Sequence, residues 1–449
     1  MGNSIRGESR ASRCSLRAKP SIRRVHGGRH LAIGDCNRSH GDCPLTIATA
    51  PRAFCIAVTT STDTLVFTRA LLWTALFLSA TASAQWALLR TDADSLIRLG
   101  RDYIYAARFD QARTIFAEVI RRYPHHPAGY FLDAMIEWWQ MQLDRRNSKR
   151  YEDAFLRKID ATIALCDSIL EQNPYDIAGL FFKGGALGYR GRYYATIQSW
   201  LKAANDGRVA LDILIKCNQL APSNHDIMLG TGIYNYYAAA LPEKYPVLKP
   251  IMVFLPSGDK RLGILQLEAA AQNATYADIE AKVLLQQVYS SQFENQPQDY
   301  LRISRELYER YPTNPLFHRR YAVALLQVGS YDSSIAHWHR ILDAYRTKLP
   351  YYDAYAAREA LYYIGWHLFI SGRYEEALPY FYKCDEACRL LDEDPSGFMV
   401  KLNLYVGKIY DLQGKRDLAI MQYKKVLSWQ DVQNSHEEAS RYLKSPYSK

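Results

Sequence analysis

The sequence predicts an all-α fold, a solenoid of stacked helix hairpins running from residue 85 to the C-terminus. Three observations carry that expectation. A pattern of small, aromatic and proline residues recurs along the chain. Prolines stand where amphipathic segments stop. From residue 91 onward no run of alternating β-branched residues offers a strand.

The first hairpin is "SLIRLGRDYIYAARFDQARTIFAEVIRRYP", with Leu99, Gly100, Tyr103, Phe109, Ala112, Phe116 and Pro124 as its marks. Two antiparallel helices approach closely only where residues are small, so Gly100 and Ala112 are expected at the contact. Leu99, Tyr103 and Phe116 are expected to fill the space around it. Pro124 cannot extend the helical ladder and ends the second helix. This spacing is similar to that of the tetratricopeptide repeat, and the resemblance implies a right-handed superhelix of such hairpins. One hairpin cannot bury its apolar faces alone, whereas stacked neighbours can.

The pattern returns three times near the C-terminus. Tyr321, Ala322, Leu325, Gly329, Tyr331, Ser334 and Trp338 form one copy. Ile364, Gly365, Leu368, Gly372, Tyr374, Ala377 and Phe381 form the next, and Val406, Gly407, Tyr410, Gly414, Ala419 and Tyr423 the last. Between the first hairpin and these copies the repeat is more divergent. There Pro174, Pro222 and Pro312 each close a predicted helix, and "AGLFFKGGALGYRGRYYATIQSWLKAANDG" reads as one long helix or a pair. Seven units result, three of them irregular. The final "HEEASRYLKS" is expected to cap the last exposed face.

Residues 229–272 do not follow from the repeat. Gly230 and Gly232 permit close helix contact, Tyr234, Tyr236 and Tyr237 add aromatic surface, and Pro242, Pro246, Pro250 and Pro256 forbid a continuous helix. Asp259 is the expected N-cap of the helix that follows. The Gly-x-Gly helix ending at Leu241-Pro242, the apolar loop 242–257 and the Gly258-Asp259 to Gly263 turn resemble one group of tetratricopeptide-repeat proteins. It is the group of eukaryotic outer-mitochondrial-membrane and inclusion-body-clearance proteins. The resemblance implies a non-enzymatic protein, and several members associate with membranes or organelles. The loop itself reads as a plug in the inner face or as a docking element, with the plug favoured because large apolar patches are rarely left exposed.

Ahead of the solenoid, residues 65–84 read as a signal peptide: Arg69, an apolar run from Ala70 to Leu78 and a small-residue end at Ala82-Ser83-Ala84, with cleavage before Gln85. Residues 1–64 then read as a disordered leader or a mis-assigned start. The chain carries +10 overall, but ten basic against four acidic residues before position 65, together with Arg69, account for +7 of it. The +3 left for residues 85–449 excludes a nucleic-acid reading based on charge.

No catalytic spacing is present: no phosphate-binding glycine loop, no Gly-x-Ser-x-Gly elbow, no His-Glu-x-x-His helix. Cys384 and Cys388 lack a second pair at zinc spacing and read as buried core, and His125, His126, His337 and His339 as packing or solvated histidines. No cofactor, metal or catalytic residue is therefore expected. The 34 tyrosines are the outstanding feature. Tyrosine combines rigid contact area with a polar tip. Of Trp138 and Trp139 only one is expected to face the core. The expected partner-binding residues are Trp139, Tyr189, Tyr236 and Tyr237, on the concave face. The function read from these features is a non-enzymatic protein-interaction scaffold, exported to the periplasm or outer membrane of a Gram-negative bacterium. It binds a protein or peptide, with peripheral membrane contact left open. The competing reading is a glycan- or lipid-binding protein with an aromatic groove and loop 242–257 as its lid.

Overall fold

The computed structural model describes residues 91–448, apart from Phe254 and the side chains of Thr91, Asp92, Val247 and Ile251. The leader 1–64 and the signal-like segment 65–84 lie outside the described residues. Among the described residues the regular structure is helical throughout. Eight antiparallel hairpins follow one another, each an inner helix and an outer helix. They are α1 (Thr91–Tyr105) with α2 (Phe109–Arg122), α3 (Pro127–Leu143) with α4 (Lys149–Gln172), α5 (Ile177–Thr196) with α6 (Trp200–Leu220), and α7 (His225–Lys244) with α9 (Lys260–Asn273). Then come α10 (Asp278–Val288) with α11 (Pro297–Arg310), α12 (Pro315–Gln327) with α13 (Tyr331–Arg346), α14 (Ala354–Ile370) with α15 (Tyr374–Leu391), and α16 (Gly397–Leu412) with α17 (Arg416–Leu427). A short helix α8 (Lys249–Met252) lies in the fourth hairpin's connection, and α18 (Ser435–Lys444) packs on the last hairpin as the expected cap.

The repeat marks act as the sequence implies, with one exception. A Cβ on Gly100 would stand 2.6 Å from the Phe116 ring, one on Gly365 3.0 Å from Phe381, and one on Gly407 2.6 Å from Tyr423. In each case a missing side chain on the inner helix admits a buried ring from the outer helix. Pro124, Pro174, Pro222 and Pro312 stand two residues beyond the ends of α2, α4, α6 and α11. The exception is Leu99, which is 42 % exposed. Buried Ile97, Arg101, Ile104 and Tyr105 define one face of α1, and Leu99 falls on the opposite side at the helical period of 3.6.

Turns inside the hairpins share one device. Gly329, Gly372 and Gly414 adopt left-handed φ of 79°, 77° and 70°. The next amide then reaches back to a carbonyl of the preceding helix, Ser330 to Leu325 at 2.9 Å and Arg373 to Leu368 at 2.9 Å. In the first and third hairpins Ala107 and Gln198 hold the same conformation, at 59° and 56°.

Residues 229–272 form a hairpin of their own, so there are eight units where the sequence suggests seven. The helices α7 and α9 cross almost backbone to backbone. A Cβ on Gly263 would meet the amide nitrogen of Tyr236 at 2.5 Å and the carbonyl of Gly232 at 2.9 Å, and one on Gly258 the carbonyl of Asn235 at 2.3 Å. Asp259 caps α9, accepting from the Leu262 amide at 3.0 Å. Pro242 does not stop α7, which runs on to Lys244, because the proline falls in the helix's last turn. The insert between the helices rests on α6 and α7. Leu248 is buried and the Tyr234 hydroxyl donates to the Pro256 carbonyl at 2.8 Å, whereas Val253 is 78 % exposed.

The first hairpin also packs against the fifth and sixth. Arg101 donates to the carbonyls of Thr275 and Tyr276 at 3.1 Å each and pairs with Asp278 at 2.6 Å. Asn314 donates to the Tyr105 carbonyl at 2.8 Å, and the Tyr311 hydroxyl to Asp102 at 2.8 Å. One apolar core accordingly runs through residues 93–324.

Candidate functional site

The inner helices bring together a polar strip that no sequence motif announces. Each of α5, α7, α10 and α12 contributes one residue: Arg192, Tyr237, Gln286 and Arg320. Arg192 lies over the Trp138 ring, 4.9 Å from its centre, and donates to Glu280 at 3.3 Å. The other Glu280 oxygen accepts from the Tyr105 hydroxyl at 3.1 Å, so this buried carboxylate is shared. Beside Arg320, Arg319 forms a fork with Glu359, one arm at 2.9 Å.

Arg320 differs from these neighbours. It donates to the side-chain oxygen of Gln286 at 2.6 Å, and that amide is held by its own donation to the buried Ser304 hydroxyl at 2.8 Å. No carboxylate pairs with Arg320. Burial and the like charges of Arg192 and Arg319 pull its guanidinium below the ordinary arginine value, against the opposing influence of Tyr300 and Tyr237. The Tyr237 hydroxyl is buried and has no hydrogen-bond partner. Burial raises its pKa to about 12, with Arg192 and Arg320 acting in the other direction. Leaving a hydroxyl unpaired inside a protein costs roughly 1–3 kcal/mol, so the strip contains both an unneutralised cation and an unmet polar group.

Two family models, each described as Tetratricopeptide repeat, match residues 94–126 and 319–395. Both segments coincide with hairpins whose inner glycine or alanine faces an aromatic or apolar outer helix. The chain is a tetratricopeptide-repeat protein. Solved structures similar to it include a thermophilic TPR protein of Thermus thermophilus, at 18 % identity over 52 % of this chain and 99 % of that one with a TM-score of 0.32. The human IFIT1 dimer with m7Gppp-AAAA shows 13 % identity over 80 % and 87 %, TM-score 0.36, and yeast Tom70 11 % over 84 % and 93 %, TM-score 0.34. Likenesses at this level say nothing of partner or activity. None of the curated proteins matches the chain.

In this tetratricopeptide-repeat protein the four aromatics expected to bind a partner are not together on one open face. Trp139 is 3 % exposed and packs edge-on against Tyr105 and Phe317, at 5.1 and 5.8 Å. Tyr236 is fully buried at the α7–α9 crossing and donates to Glu294 at 2.8 Å. Both are therefore core residues. Trp138 is buried as well, against Phe155 and Tyr189. Both tryptophans fit because α3 has neighbours on two sides, the fourth and fifth helices on one and the sixth hairpin on the other. Tyr189 and Tyr237 are partly exposed, and Tyr237 alone belongs to the polar strip.

The arginines belong to no motif of recognisable spacing. A signal existed: "HRRYAVALL" puts two adjacent guanidinium groups inside an otherwise apolar inner helix, where each needs a partner. Cys384 and Cys388 are buried, as expected. His337 is a packing histidine, one of the two expected roles: its ring meets His318 at 3.0 Å, and His318 in turn meets the Tyr352 hydroxyl at 2.9 Å. Among the described residues no group of three or more metal-binding side chains is gathered, and no helix is long and apolar enough to cross a membrane.

Proposed function

We propose that this chain is a non-enzymatic scaffold of the cell envelope of a Gram-negative bacterium, holding a polypeptide segment along its inner helices. The observation that carries the reading is the inner strip, where Arg192, Tyr237 and Arg320 stand partly exposed on α5, α7 and α12 around the buried Gln286 of α10. Stacked repeats present one such position per unit, a spacing suited to an extended chain. The export signal read at residues 65–84 supports the compartment. The loop 242–257 rests on α6 and α7, and nothing favours its use as a lid.

The test is site-specific photocrosslinking in native cells. A photoreactive residue replaces Tyr355 on α14, which stacks with Arg145 and Arg358, or Leu390 on α15, which is 77 % exposed on the outer side. The expected result is one polypeptide crosslinked from position 355 and not from 390, on a mature chain beginning at Gln85. Equal labelling from both positions overturns the inner-face reading. A mature chain that retains residues 1–64 overturns the compartment.

A further inference from the structure

The structure assigns to Cys384 and Cys388, one turn apart on α15, a two-coordinate site for a thiophilic monovalent cation, copper(I), backed by the guanidinium of Arg358.

Side chains four residues apart on a helix share a face, with Cβ atoms roughly 5–6 Å apart. A disulfide needs about 3.5–4.5 Å between the same atoms, so the two sulfurs cannot be joined to each other while α15 keeps its form. An ion held between them asks for a wider spacing. Two metal–sulfur bonds in line, each on the scale of the ~2.3 Å bond to zinc, set the sulfurs about 4–5 Å apart, within reach of a helical pair at this separation. Zinc itself needs four ligands, and among the described residues no group of three or more metal-binding side chains is gathered. Soft sulfur ligands favour copper(I), for which two suffice.

The surroundings suit a pair of thiolates. Both cysteines are fully buried, and the Ser396 hydroxyl donates to the Cys388 sulfur at 3.6 Å. Cys384 has two acceptors for its single S–H, the Arg358 carbonyl at 3.5 Å and the sulfur of Cys388. Donation from Cys384 draws the Cys388 pKa down, with Ser396 and Arg358 acting the same way against burial, and the donor thiol is pushed up in turn. Arg358 is the independent observation. It is buried, pairs through Nη1 with Asp392 and lies over the Phe398 ring at 4.9 Å, yet its Nε has no partner. A buried N–H left idle costs roughly 1–3 kcal/mol, and the charge behind it already favours the thiolate at both cysteines.

Loading replaces two S–H bonds by two S–Cu bonds, with both protons released to solvent and no change of oxidation state. The complex carries one negative charge, which meets the free arm of Arg358. Asp385 and Asp392 act against the thiolates, so the site depends on that arginine. The way in is the exposed turn at Glu393 and Asp394 between α15 and α16, which leads to Ser396 over Cys388.

The experiment titrates the full chain, reduced and kept free of oxygen, with copper(I) against the chelator bicinchoninate. Bound metal, the ultraviolet thiolate-to-copper charge-transfer band and Tm are read together. Because Cys14, Cys36, Cys43 and Cys55 also offer thiols, each result is taken as a difference from the double variant Cys384→Ala, Cys388→Ala. The parent should bind one copper(I) more than the double variant, with a matching gain in the band and a rise in Tm that the variant lacks. Cys166→Ala, which removes a buried thiol elsewhere, should leave all three readouts as in the parent. Should the double variant fail to fold, Arg358→Gln decides. Both thiols then stay, and copper(I) should be held at least about tenfold more weakly, the value of one hydrogen bond to a charged group. Equal numbers of ions on parent and double variant would overturn the proposal. So would a rise in Tm with zinc(II) as large as with copper(I), or an Arg358→Gln variant that binds copper(I) as the parent does.

Discussion

The crossing of α7 and α9 makes the sharpest quantitative expectation. Replacing Gly263 by alanine adds a Cβ that would sit 2.5 Å from the Tyr236 amide nitrogen, where ordinary contact begins at 3.4 Å. The two helices must part by about 0.9 Å, because the obstructing atoms are backbone and cannot rotate aside. Overpacking of this kind costs roughly 1–3 kcal/mol or more, and separation also loosens Tyr236 and Leu267 in the core beneath. Alanine returns about 1 kcal/mol through its higher helix propensity. A net loss of roughly 0–2 kcal/mol or more follows for Gly263→Ala. Gly188 is the internal control: it lies inside α5 with nothing within 4 Å of its would-be Cβ, so Gly188→Ala should stabilise by about 1 kcal/mol. Urea titration of both variants, with amide exchange read on α7 and α9, distinguishes them. If Gly263→Ala matches Gly188→Ala in sign, the glycines of residues 229–272 are not there for helix contact, and a binding role for that signature becomes the better explanation.

Other expectations follow from individual contacts. Ala107 holds a left-handed turn that Gly372 holds in a later hairpin, and the αL state costs an L-residue roughly 1–2 kcal/mol. Ala107→Gly should therefore raise the denaturation midpoint and Gly372→Ala lower it by a similar amount. Burial, with His337 and Arg340 adding to it, pushes the His318 pKa down to about 3 from 6.5. A folded value below the unfolded one means the neutral ring contributes fully above pH 6.5, and that contribution is lost as pH falls towards 3, at up to roughly 1.4 kcal/mol per pH unit. Stability measured at pH 7 and pH 4.5 should differ less in His318→Gln than in the parent, and an unchanged difference would refute the assignment. Asn314 accepts from the Leu316 amide at 2.9 Å while donating to the Tyr105 carbonyl, so it is both a cap and a tie between the sixth hairpin and the first. Asn314→Asp keeps the cap and loses the tie. It should speed amide exchange in α1 and α2, and Asn314→Ala should cost a further ~1 kcal/mol.

Much of the hairpin architecture was legible because its signals are local. A proline two residues past a helix, or a glycine opposite a ring one helix away, acts over a short stretch of chain, and Pro124, Pro222, Gly100 and Gly365 each do in the structure what their spacing suggests. The fourth hairpin is hidden in the sequence for a reason that is also local. Its two helices are separated by an insert containing Pro246, Pro250 and Pro256, so the spacing that identifies a repeat is stretched beyond recognition. Its contact uses glycine against backbone rather than glycine against a ring.

Which aromatic faces outward was not legible, and the cause is long-range. In a solenoid whose units touch only their neighbours, inner-helix aromatics such as Trp139 would be left on the concave surface, which is where sequence reasoning puts them. Here the first hairpin meets the fifth and sixth through Arg101, Asp102 and Asn314, across roughly two hundred positions of chain, and the space that Trp139 would have faced is taken by Tyr105 and Phe317. Hydrophobic surface that the repeat alone would expose is thereby consumed as core, and the inner helices are left with polar groups that core packing does not satisfy. A half-buried arginine with no acidic partner, such as Arg320, is such a group. It keeps its charge at every physiological pH, and its five donors are more than one glutamine oxygen can accept from. On that reasoning the residues to search for in a repeat protein that closes on itself are the charges left over after its tyrosines have been packed.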